Sequence, residues 1–355
     1  MSVLESAHAT DAFDELRSNS QAIAIDSPVA RTPDVSVVVP TYRRPAMLER
    51  CLASLLTQDY DPARFEIIVC DDGPDEATRA SVERIAQEHC ANGPRVRYVP
   101  VTATQGPAGA RNAGWRLSRA TSIAFTDDDT QPDARWLSAG VKALTTGAGA
   151  ISGRIIVPLG ERPTDYENDA AGLARSEFAT ANTFANRRAL ERIGGFDARF
   201  TSAWREDSDL QFALVEAGIP IARADDAIVL HPVRPARWGV SLAQQKKSQF
   251  DALLYKKYPL LYKRRIRRTP PLLYYAIVVA LIVSFCAALG GHARAANCAA
   301  AAWLAMTTWF CVDRLSDTSR APAHIIEMAC TSVLIPFLSI YWRLYGAFKF
   351  RVFFL

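Results

Sequence analysis

The seven cysteines of this 355-residue chain show no pairing pattern. Their number is odd, and no two of them are spaced as CxxC. Four lie in apolar segments, where cysteine behaves as a small hydrophobic residue: Cys286, Cys298, Cys311 and Cys330. The sequence therefore supports neither a disulfide framework nor a zinc site.

Two further signals are missing from the N-terminal part of the chain. Acidic residues stand where a signal peptide would need its apolar core, so none is expected: Glu5, Asp11, Asp14 and Glu15. The loop after the first apolar run contains Arg43-Arg44 but no glycine, which argues against the Gly- and Lys-rich phosphate loop of a nucleotidyltransferase. Residues 1–33 are rich in Ser, Ala and Asp, and we expect a mobile tail there.

Positive charge is concentrated in one short stretch of the chain. The formal net charge of +4 comes largely from a basic band that contains Lys256, Lys257, Lys263, Arg264, Arg265, Arg267 and Arg268. Such a band is typical of nucleic-acid binding or of attachment to an anionic membrane surface. An uncharged apolar run, Leu272–Leu289, begins four residues after the band, and its length suits a membrane span. We therefore expect contact with the anionic cytoplasmic leaflet and no nucleic-acid partner.

Two weaker apolar segments follow, Ala295–Val312 and the shorter Met328–Trp342, which contains Pro336. The positive-inside rule places the N-terminal domain in the cytoplasm, and the expected location is the inner (plasma) membrane with several spans. Three spans would place Arg343, Lys349 and Arg351 outside, against the same rule. Either the third segment is re-entrant or lies on the surface, or the number of spans is not three. The expected organisation is a basic juxtamembrane segment at 241–270, membrane helices at 271–346 and a basic, aromatic tail at 347–355.

Strand-like and helix-like patterns alternate in the N-terminal half. Short runs rich in β-branched and apolar residues predict strands at Val35–Val39 (stopped by Pro40), Phe65–Cys70, Arg95–Val101 and Ser122–Thr126. Helical patterns lie between them, at 47–56, Asp75–Glu88 and Gly106–Ser118. This alternation predicts an α/β fold with a parallel sheet that is covered on both faces. Such a sheet binds ligands at the carboxyl ends of its strands.

Three consecutive aspartates, Asp127-Asp128-Asp129, end the fourth predicted strand. Adjacent carboxylates repel one another unless a cation or a proton neutralises them, and hard oxygen ligands of this kind suit Mg2+ or Mn2+. The alternative is a solvated acidic turn that caps a helix beginning at Ala134. Polar residues also follow the first and second strands, so a site is predicted at this edge of the sheet.

Six motifs occur along the chain: VSVVVPTYRR, IIVCDDG, QGPAGARNAGW, FTDDDT, ERIGGFD and WREDSDL. In their order and spacing, from about Val35 to His231, the chain resembles the family 2 glycosyltransferases of GT-A fold. The resemblance implies a Rossmann-like, mostly parallel sheet with helices on both faces at 34–240, followed by C-terminal membrane helices. It also implies transfer of a sugar from a nucleoside diphosphate donor to an acceptor hydroxyl, with inversion at the anomeric carbon.

The resemblance assigns donor-binding roles to residues at the strand ends. Pro40-Thr41-Tyr42 resembles the loop that cradles the nucleotide base. Asp72, with Asp71 as the alternative, resembles the carboxylate that accepts the base N–H, although an Asp-Asp-Gly turn that caps the next helix would look the same. A carboxylate offers only acceptors, which suits uracil, so a UDP-sugar is the favoured donor.

The resemblance also implies a metal site. Asp127 and Asp129 resemble the DxD pair that contacts the donor ribose and the metal, Mg2+ or Mn2+, while Asp128 is expected to point elsewhere. His231 resembles a histidine that completes the metal sphere, the alternative being a structural histidine. Arg111 resembles the basic residue near the donor nucleotide, the alternative being an arginine on a helix surface.

Glu206-Asp207 resembles the ED pair that supplies the catalytic base. Inverting transfer needs a carboxylate to take the acceptor proton, and we assign Asp207 this role, with Glu206 orienting the acceptor or its neighbour. The alternative is that Asp207 and Asp209 are acids favoured by the dipole at a helix N-terminus. Asp197 of the GGFD turn is expected to be structural or to contact a sugar, and Trp204 is expected on the acceptor side with it.

The segment Arg234-Pro-Ala-Arg237-Trp238 is similar to the QxxRW element of processive polysaccharide synthases, with Arg234 in place of Gln. Arg237 and Trp238 are expected on the acceptor side, where Trp238 would stack on a sugar or a lipid-linked acceptor. The predicted function is transfer of a single sugar to a lipid-linked or membrane-associated glycan acceptor. The alternatives are a processive polysaccharide synthase and a non-catalytic, membrane-anchored protein that binds sugar nucleotides.

Overall fold

The computed structural model describes residues 32–104 and 106–354. The mobile tail predicted at 1–33 lies outside the described residues, apart from its last two positions. The strands are β1 Val35–Thr41, β2 Phe65–Asp71, β3 Arg95–Pro100, β4 Ser122–Phe125, β5 Gln131–Pro132, β6 Ala150–Ile156, β7 Thr183–Asn186 and β8 Ile221–Leu230.

The helices alternate with these strands and then continue alone. Those of the first part are α1 Pro45–Leu56, α2 Glu76–Glu88, α3 Pro107–Leu117, α4 Trp136–Leu144, α5 Asp165–Ala171, α6 Arg187–Ile193 and α7 Glu206–Glu216. Those of the second part are α8 Val240–Gln244, α9 Gln249–Lys257, α10 Pro259–Arg265, α11 Leu272–Leu289, α12 Ala293–Leu315 and α13 Pro322–Lys349. Short 3-10 turns occur at Pro62–Arg64, Gly172–Arg175, Thr180–Asn182 and Gln245–Ser248.

The eight strands form one sheet in the order β3-β2-β1-β4-β7-β6-β8-β5. The first four strands are parallel to one another, as predicted. Beyond β4 the sheet is mixed, because β7 runs antiparallel to both β4 and β6, while β8 is parallel to β6 and antiparallel to β5. The predicted α/β fold is confirmed, and the antiparallel pairs are those that the sequence patterns did not reveal.

Alternate residues of β1 face opposite layers of the core. Val35, Val37 and Val39 pack in a cluster with Leu48 and Leu52 of α1. Val38 lies in a second cluster, with Ala110 and Trp115 of α3. Because both faces of the strand are buried, its sequence is a continuous apolar run, as expected for a central parallel strand. The predicted covering of both sheet faces is therefore confirmed.

Strand β1 continues through Pro40, so the expectation that Pro40 stops it is wrong. The carbonyl of Val38 accepts a hydrogen bond from the amide of Thr126 at 3.3 Å, on the side of β4. Two residues later Pro40 faces the same side, where pairing with β4 has already ended at Phe125. No partner strand needs an amide from Pro40, while pairing with β2 extends to Thr41.

The segment after residue 240 is packed against the sheet domain. Phe200 and Phe212, which flank the ED pair, share a hydrophobic cluster with Phe250, Leu253 and Leu254 of α9, Tyr258, Tyr262 and Phe354. The predicted boundary at residue 240 therefore falls inside a continuous core. The predicted tail at 347–355 begins within α13, and its Phe354 is 5% exposed because it fills this cluster.

Three helices in the described residues are long and apolar enough to cross a membrane: α11, α12 and α13. Helices α11 and α12 form a hairpin, within which the Ser284 hydroxyl donates to the Ala296 carbonyl at 3.0 Å. Only 6% of the most apolar window of α11 is buried, against 39% for α13. The third predicted segment is not the shortest, because α13 runs for 28 residues straight through Pro336. A buried proline is tolerated in such a helix where neighbouring helices and hydroxyl groups satisfy the freed carbonyl.

Near each of its two ends, helix α13 contacts the sheet domain or the segment that follows it. Near its N-terminus the Glu327 carboxylate accepts from the amide of Gly239 at 2.7 Å. Near its C-terminus Gly346 lies so close to the backbone of Gln249 that a Cβ would clash, and Lys349 donates to the Gln249 side chain at 3.2 Å. The helix therefore lies lengthwise along the segment from Gly239 to Gln249.

Candidate active site

The aspartate triplet follows β4 in a tight turn that hydroxyl groups hold in place. The amide and the hydroxyl of Thr130 both donate to the carbonyl of Asp127, at 3.2 and 2.7 Å. Thr130 also bonds to the Thr126 hydroxyl at 2.7 Å. The chain then enters β5, which pairs Gln131 with Leu230 of β8 and brings His231 beside the turn.

This arrangement brings the three predicted metal ligands together. One ligand atom each from Asp127, Asp129 and His231 lies within 4.8 Å of the others. The Nε2 atom of His231 is 3.5 Å from Oδ1 of Asp129. Two carboxylates and one imidazole are a donor set that suits Mn2+ or Mg2+ with further positions left for a substrate, so the residues present fit the expected ion.

Asp128 lies outside this group. Its Oδ2 accepts from the Thr41 hydroxyl at 2.7 Å, and its Oδ1 is 3.1 Å from the Arg44 guanidinium. Burial raises the pKa of Asp128 to about 6, although Arg44 and Thr41 oppose the shift. The central aspartate therefore ties the triplet to the end of β1. Arg44 is also 3.8 Å from Asp129.

Arg111 of α3 joins the two acidic motifs. Its side chain is 3% exposed, with Nη2 2.7 Å from Oδ1 of Asp127 and Nη1 3.3 Å from Oε1 of Glu206. Burial alone would lower the pKa of Arg111, but the charges of Asp127, Glu206 and Asp207 raise it on balance, so the guanidinium stays charged. The alternative of an arginine on a helix surface is wrong, because α3 turns this residue into the site.

The ED pair begins α7, and its two carboxylates have different surroundings. Glu206 is 4% exposed and held by Arg111, whereas Asp207 is half-buried and accepts from the Thr180 hydroxyl at 2.5 Å. Burial raises the pKa of Glu206, and the charge of Asp207 adds to the effect. Burial also raises the pKa of Asp207, against the effects of Arg111 and Thr180. The more open of the two carboxylates is therefore the one predicted to be the base.

The residue before the pair has a strained backbone. Arg205 has a φ of 72°, in the left-handed region, and its Nε is 2.6 Å from Oδ1 of Asp251 in α9. A non-glycine residue in this conformation persists only where its surroundings impose it. Here the ion pair to α9 and the stacking of the guanidinium over Trp204, at 4.7 Å, fix the entry into α7.

The residues predicted to bind the donor divide into exposed and structural ones. Tyr42 is exposed, and its ring covers Gly73 so closely that a side chain there would clash with it. The half-buried Asp72 beside it accepts from the amide of Gly106 through both carboxylate oxygens, at 2.8 Å each. Asp71 is fully buried and accepts from Tyr98 at 2.9 Å, so it has a structural role.

Pro40 and Thr41 are buried in β1. The Thr41 hydroxyl donates a hydrogen bond to Asp128, and the backbone carbonyl of Thr41 accepts one from the amide of Asp72 at 2.9 Å. These two residues therefore shape the strand end from inside, while Tyr42 is the member of the predicted loop that is open to a ligand.

The GGFD turn is anchored to α3. Asn112 donates to the carbonyl of Phe196 at 2.8 Å and accepts from its amide at 3.0 Å. Asp197 pairs with Arg199 at 2.6 Å and with Lys257 of α9 at 2.9 Å, and these contacts lower its pKa although burial opposes the shift. Its carboxylate is thus engaged by two cations, which favours the structural alternative over a sugar contact.

The remaining residues predicted on the acceptor side lie in two places. Trp204 packs against the cluster of Phe200 and Phe212. Arg237 and Trp238 line a cavity of about 350 Å3 between α5, the loop after β8 and the start of α13. Trp238 is 59% exposed, so its ring is accessible from outside the cavity.

Two arginines beside the acidic triplet were not assigned from the sequence. Arg44 contacts both Asp128 and Asp129, and Arg234 lies with Nε 3.0 Å from Oδ2 of Asp129. The substitution of Arg234 for Gln in the RPARW segment was the available signal. For Arg44 the sequence contains no such signal, because the approach of Arg44 to the triplet depends on α1 starting immediately after β1.

Comparisons with known proteins identify relatives of this chain. Residues 36–211 match the family model described as Glycosyl transferase family 2. Glycosyltransferase AglE of Haloferax volcanii is 28% identical over 213 residues, which cover 57% of this chain and 68% of AglE. GalNAc(5)-diNAcBac-PP-undecaprenol beta-1,3-glucosyltransferase of Campylobacter jejuni is 29% identical over 126 residues, 35% of this chain and 39% of that protein. The chain spans about half the length of other curated relatives: 52%, 54% and 49% for three of them.

A solved structure extends the likeness to the whole chain. The mannosyltransferase PcManGT from Pyrobaculum calidifontis, in complex with GDP-Man and Mn2+, matches with a TM-score of 0.53 and 20% identity. The match covers 96% of this chain and 97% of PcManGT, and at this identity it establishes the GT-A-like fold. The family model spans residues 36–211, which include both acidic motifs. The chain therefore belongs to glycosyl transferase family 2.

Proposed function

We propose that this protein is a metal-dependent, inverting glycosyltransferase that moves one sugar from a nucleoside diphosphate donor to a membrane-associated acceptor. The observation that carries the proposal is the continuous group in which Arg111 links Asp127 of the metal-ligand set to Glu206 of the ED pair. An inverting transfer needs a cation site at the leaving group and a carboxylate at the acceptor, within one sugar of each other.

On the donor side, Asp127, Asp129 and His231 would hold Mg2+ or Mn2+. When bound, the ion supplies positive charge that stabilises the departing nucleoside diphosphate. Tyr42 offers an exposed ring next to the carboxylate of Asp72, and together they would receive the base. Arg111 holds Asp127 in place and keeps its carboxylate ionised, because the neighbouring guanidinium lowers the pKa of Asp127 although burial opposes the shift.

On the acceptor side, Asp207 would take the proton from the acceptor hydroxyl. Its bond from Thr180 orients the carboxylate, and its more open position leaves an oxygen for the acceptor. Glu206 is occupied by Arg111, so it would position the site and not exchange the proton. Inversion follows if the hydroxyl oxygen attacks opposite the diphosphate in a single displacement.

The acceptor is proposed to be lipid-linked, because α8–α10 connect the domain that contains the site to the apolar helices α11 and α12. The Campylobacter relative is named for a polyprenol-linked substrate, which supports the same class. We propose single addition instead of polymerisation, since Arg234 replaces the glutamine of the processive element and is paired with Asp129. A UDP-sugar is the first donor to test, with GDP-mannose as the second.

For the membrane part we propose two spans, α11 and α12, with α13 lying on the cytoplasmic surface. The contacts of α13 near both of its ends support this arrangement. They would keep Arg343, Lys349 and Arg351 on the side of the basic band, which removes the conflict that three spans create with the positive-inside rule. The proposed location is the inner (plasma) membrane, with the catalytic domain in the cytoplasm.

The test is release of nucleoside diphosphate by the detergent-solubilised full chain across a panel of UDP- and GDP-sugars with Mn2+. Asp207→Asn serves as the inactive comparison, and Asp225→Asn, an exposed aspartate on β8, as the matched control. We expect one donor to be turned over by the parent and the control only. Absence of turnover with every donor, with and without a lipid acceptor, would favour the alternative of a non-catalytic binding protein.

A further inference from the structure

A second cavity, of about 440 Å3, lies away from the metal-ligand group and close to α13. Its walls come from the loop before the ED pair, from the 3-10 turn Gln245–Ser248 with the start of α9, and from the last turns of α13. Three kinds of side chain meet there: the lysines Lys246 and Lys349, the polar Thr201, Ser202 and Gln249, and the aromatic Phe250, Trp342 and Tyr345.

The cavity is cationic and has no acidic wall. None of the residues that line it is an aspartate or a glutamate, and within the described residues no ion pair joins Lys246 or Lys349 to a carboxylate. The other cavity, beside Trp238, is different because Asp165, Glu167 and Glu327 line it. Two ammonium groups without a countercharge favour an anionic ligand.

Both lysines are positioned with hydrogen-bond donors to spare. The Nζ of Lys349 donates to Gln249 at 3.2 Å and lies 5.9 Å from the centre of the Tyr345 ring. The Nζ of Lys246 lies 5.7 Å from the centre of the Trp342 ring. An ammonium group has three donors, so each lysine can still bind the oxygens of a phosphate, as can the hydroxyls of Thr201 and Ser202.

The cavity borders the exposed face of α13, on which a membrane would lie. The C-terminal half of α13 exposes an apolar and aromatic face: Tyr341, Leu344, Tyr345 and Phe348. Its opposite face, with Ser339, Arg343 and Gly346, is buried. Tyr345 belongs to both the exposed face and the cavity wall. Tyrosine is enriched where a protein meets the boundary between membrane and water. A lipid chain in the bilayer could therefore place its head group in the cavity.

One wall of the cavity belongs to the loop that leads to the proposed catalytic base. Ser202 lies in the loop before α7, four residues before Glu206, which begins that helix. Lys247, next to Lys246, lies close enough to Glu206 for their charges to interact. A phosphate held here would thus lie on the side from which an acceptor approaches Asp207, whereas the donor diphosphate is expected at Asp127 and Asp129.

We propose that this cavity binds the phosphate or diphosphate of a lipid-linked acceptor, with Lys246 and Lys349 as its principal ligands. The inference rests on the proposed function, because it names the class of acceptor that the same site would use. A lipid-linked acceptor and the phospholipids of the leaflet share one chemical group, the phosphate ester. We commit to the isoprenoid-type acceptor, since the cavity wall includes both the loop that leads to the ED pair and Tyr345 of the exposed apolar face of α13.

The test is isothermal titration of the detergent-solubilised full chain in EDTA, so that a metal at Asp129 cannot hold the ligand. The probes are farnesyl diphosphate, farnesol, inorganic diphosphate and a short-chain phosphatidylglycerol. The parent should bind farnesyl diphosphate at least about 10-fold more tightly than the other three, since only this probe combines the diphosphate with the isoprenoid chain. The double variant Lys246→Gln/Lys349→Gln should lose about 10-fold or more, as expected when two ammonium–phosphate contacts are removed.

Lys142→Gln, an exposed lysine on α4, is the matched control and should bind like the parent. Thermal unfolding midpoints confirm that all variants are folded. Equal affinity for farnesol, for inorganic diphosphate or for phosphatidylglycerol would overturn the proposal, as would unchanged binding by the double variant. Binding is measured without a donor, so this failure is distinct from absence of nucleoside diphosphate release, which would refute the proposed function itself.

Discussion

The guanidinium of Arg111 lies 2.7 Å from the carboxylate of Asp127, and the same side chain reaches Glu206 at 3.3 Å. The arginine sits on α3 between a residue that follows β4 and one that begins α7. All three side chains are held at the carboxyl edge of the sheet, where Asp127 is 25% exposed while Arg111 and Glu206 are almost fully buried. The electrostatic balance of the site therefore depends on one buried cation.

Replacing Arg111 with Met should strongly destabilise the protein. Removal of the cation leaves the buried Glu206 and the neighbouring Asp127 uncompensated, and breaking a buried pair costs about 3–5 kcal/mol. Urea unfolding in detergent, followed by tryptophan fluorescence, measures this change. Arg111→Met/Glu206→Gln should recover part of the loss, because the double variant no longer buries a lone carboxylate. Arg50→Gln, at an exposed arginine of α1, should have little effect; a loss as large as that of Arg111→Met would contradict the bridge.

Asp129→Asn should abolish the stabilisation of the protein by Mn2+. A metal that binds only the folded state adds about 2.7 kcal/mol at 100 times its dissociation constant, so the parent should unfold at a higher temperature with Mn2+ than with EDTA. The variant loses one of the three ligand atoms that lie within 4.8 Å of one another. Asp133→Asn, an exposed aspartate close by, should keep the shift. Full transfer activity of the parent in EDTA would contradict the assigned metal role.

Asp207→Asn should lower the rate of transfer by roughly 10²–10⁴, the usual contribution of a general base. Glu206→Gln should lower it less. In the parent, the rate should rise with pH as Asp207 loses its proton. Because burial raises the pKa of Asp207, this rise should lie above the ordinary aspartate value of about 3.9. A kcat/KM profile measured between pH 4 and 8 checks both points. Exchanged effects of the two variants would mean that Glu206 is the base.

A reporter fused to the C-terminus distinguishes two spans from three. If α11 and α12 are the spans and α13 lies on the cytoplasmic surface, a fluorescent protein at the C-terminus should fluoresce, and alkaline phosphatase there should be inactive. A phosphatase inserted after Gly291, in the hairpin loop, should be active as the matched comparison, since that loop would lie outside. Active phosphatase at the C-terminus would show that α13 crosses the bilayer.

Much of the fold follows from local patterns in the sequence. The buried valines of β1 and the apolar runs of β2 and β4 are continuous because both faces of these strands are covered. The end of β1 was misjudged at Pro40, since a missing amide matters only where a neighbouring strand needs it. The antiparallel β7 and the contacts of α13 left no comparable periodic signal.

The chemistry of the site was partly readable from motif spacing. The triplet after β4 and the pair at the start of α7 stand out because like charges crowd together at strand and helix ends. Arg44 and Arg234 were not assigned to the triplet, although both approach Asp129. Which carboxylate an arginine meets depends on helix placement, and this is not encoded in the separation of the residues along the chain.

The sequence by itself determined the class of fold, the family motifs, the acidic residues and the three apolar helices, because hydrophobic periodicity and charge crowding are local properties. Only the tertiary structure decided that Arg111 joins Asp127 to Glu206, that Phe354 closes the core around α9, and that Lys246 and Lys349 share one cavity. Each of these contacts joins residues far apart in the chain. Their distances are fixed by how helices and strands pack, which no single segment specifies.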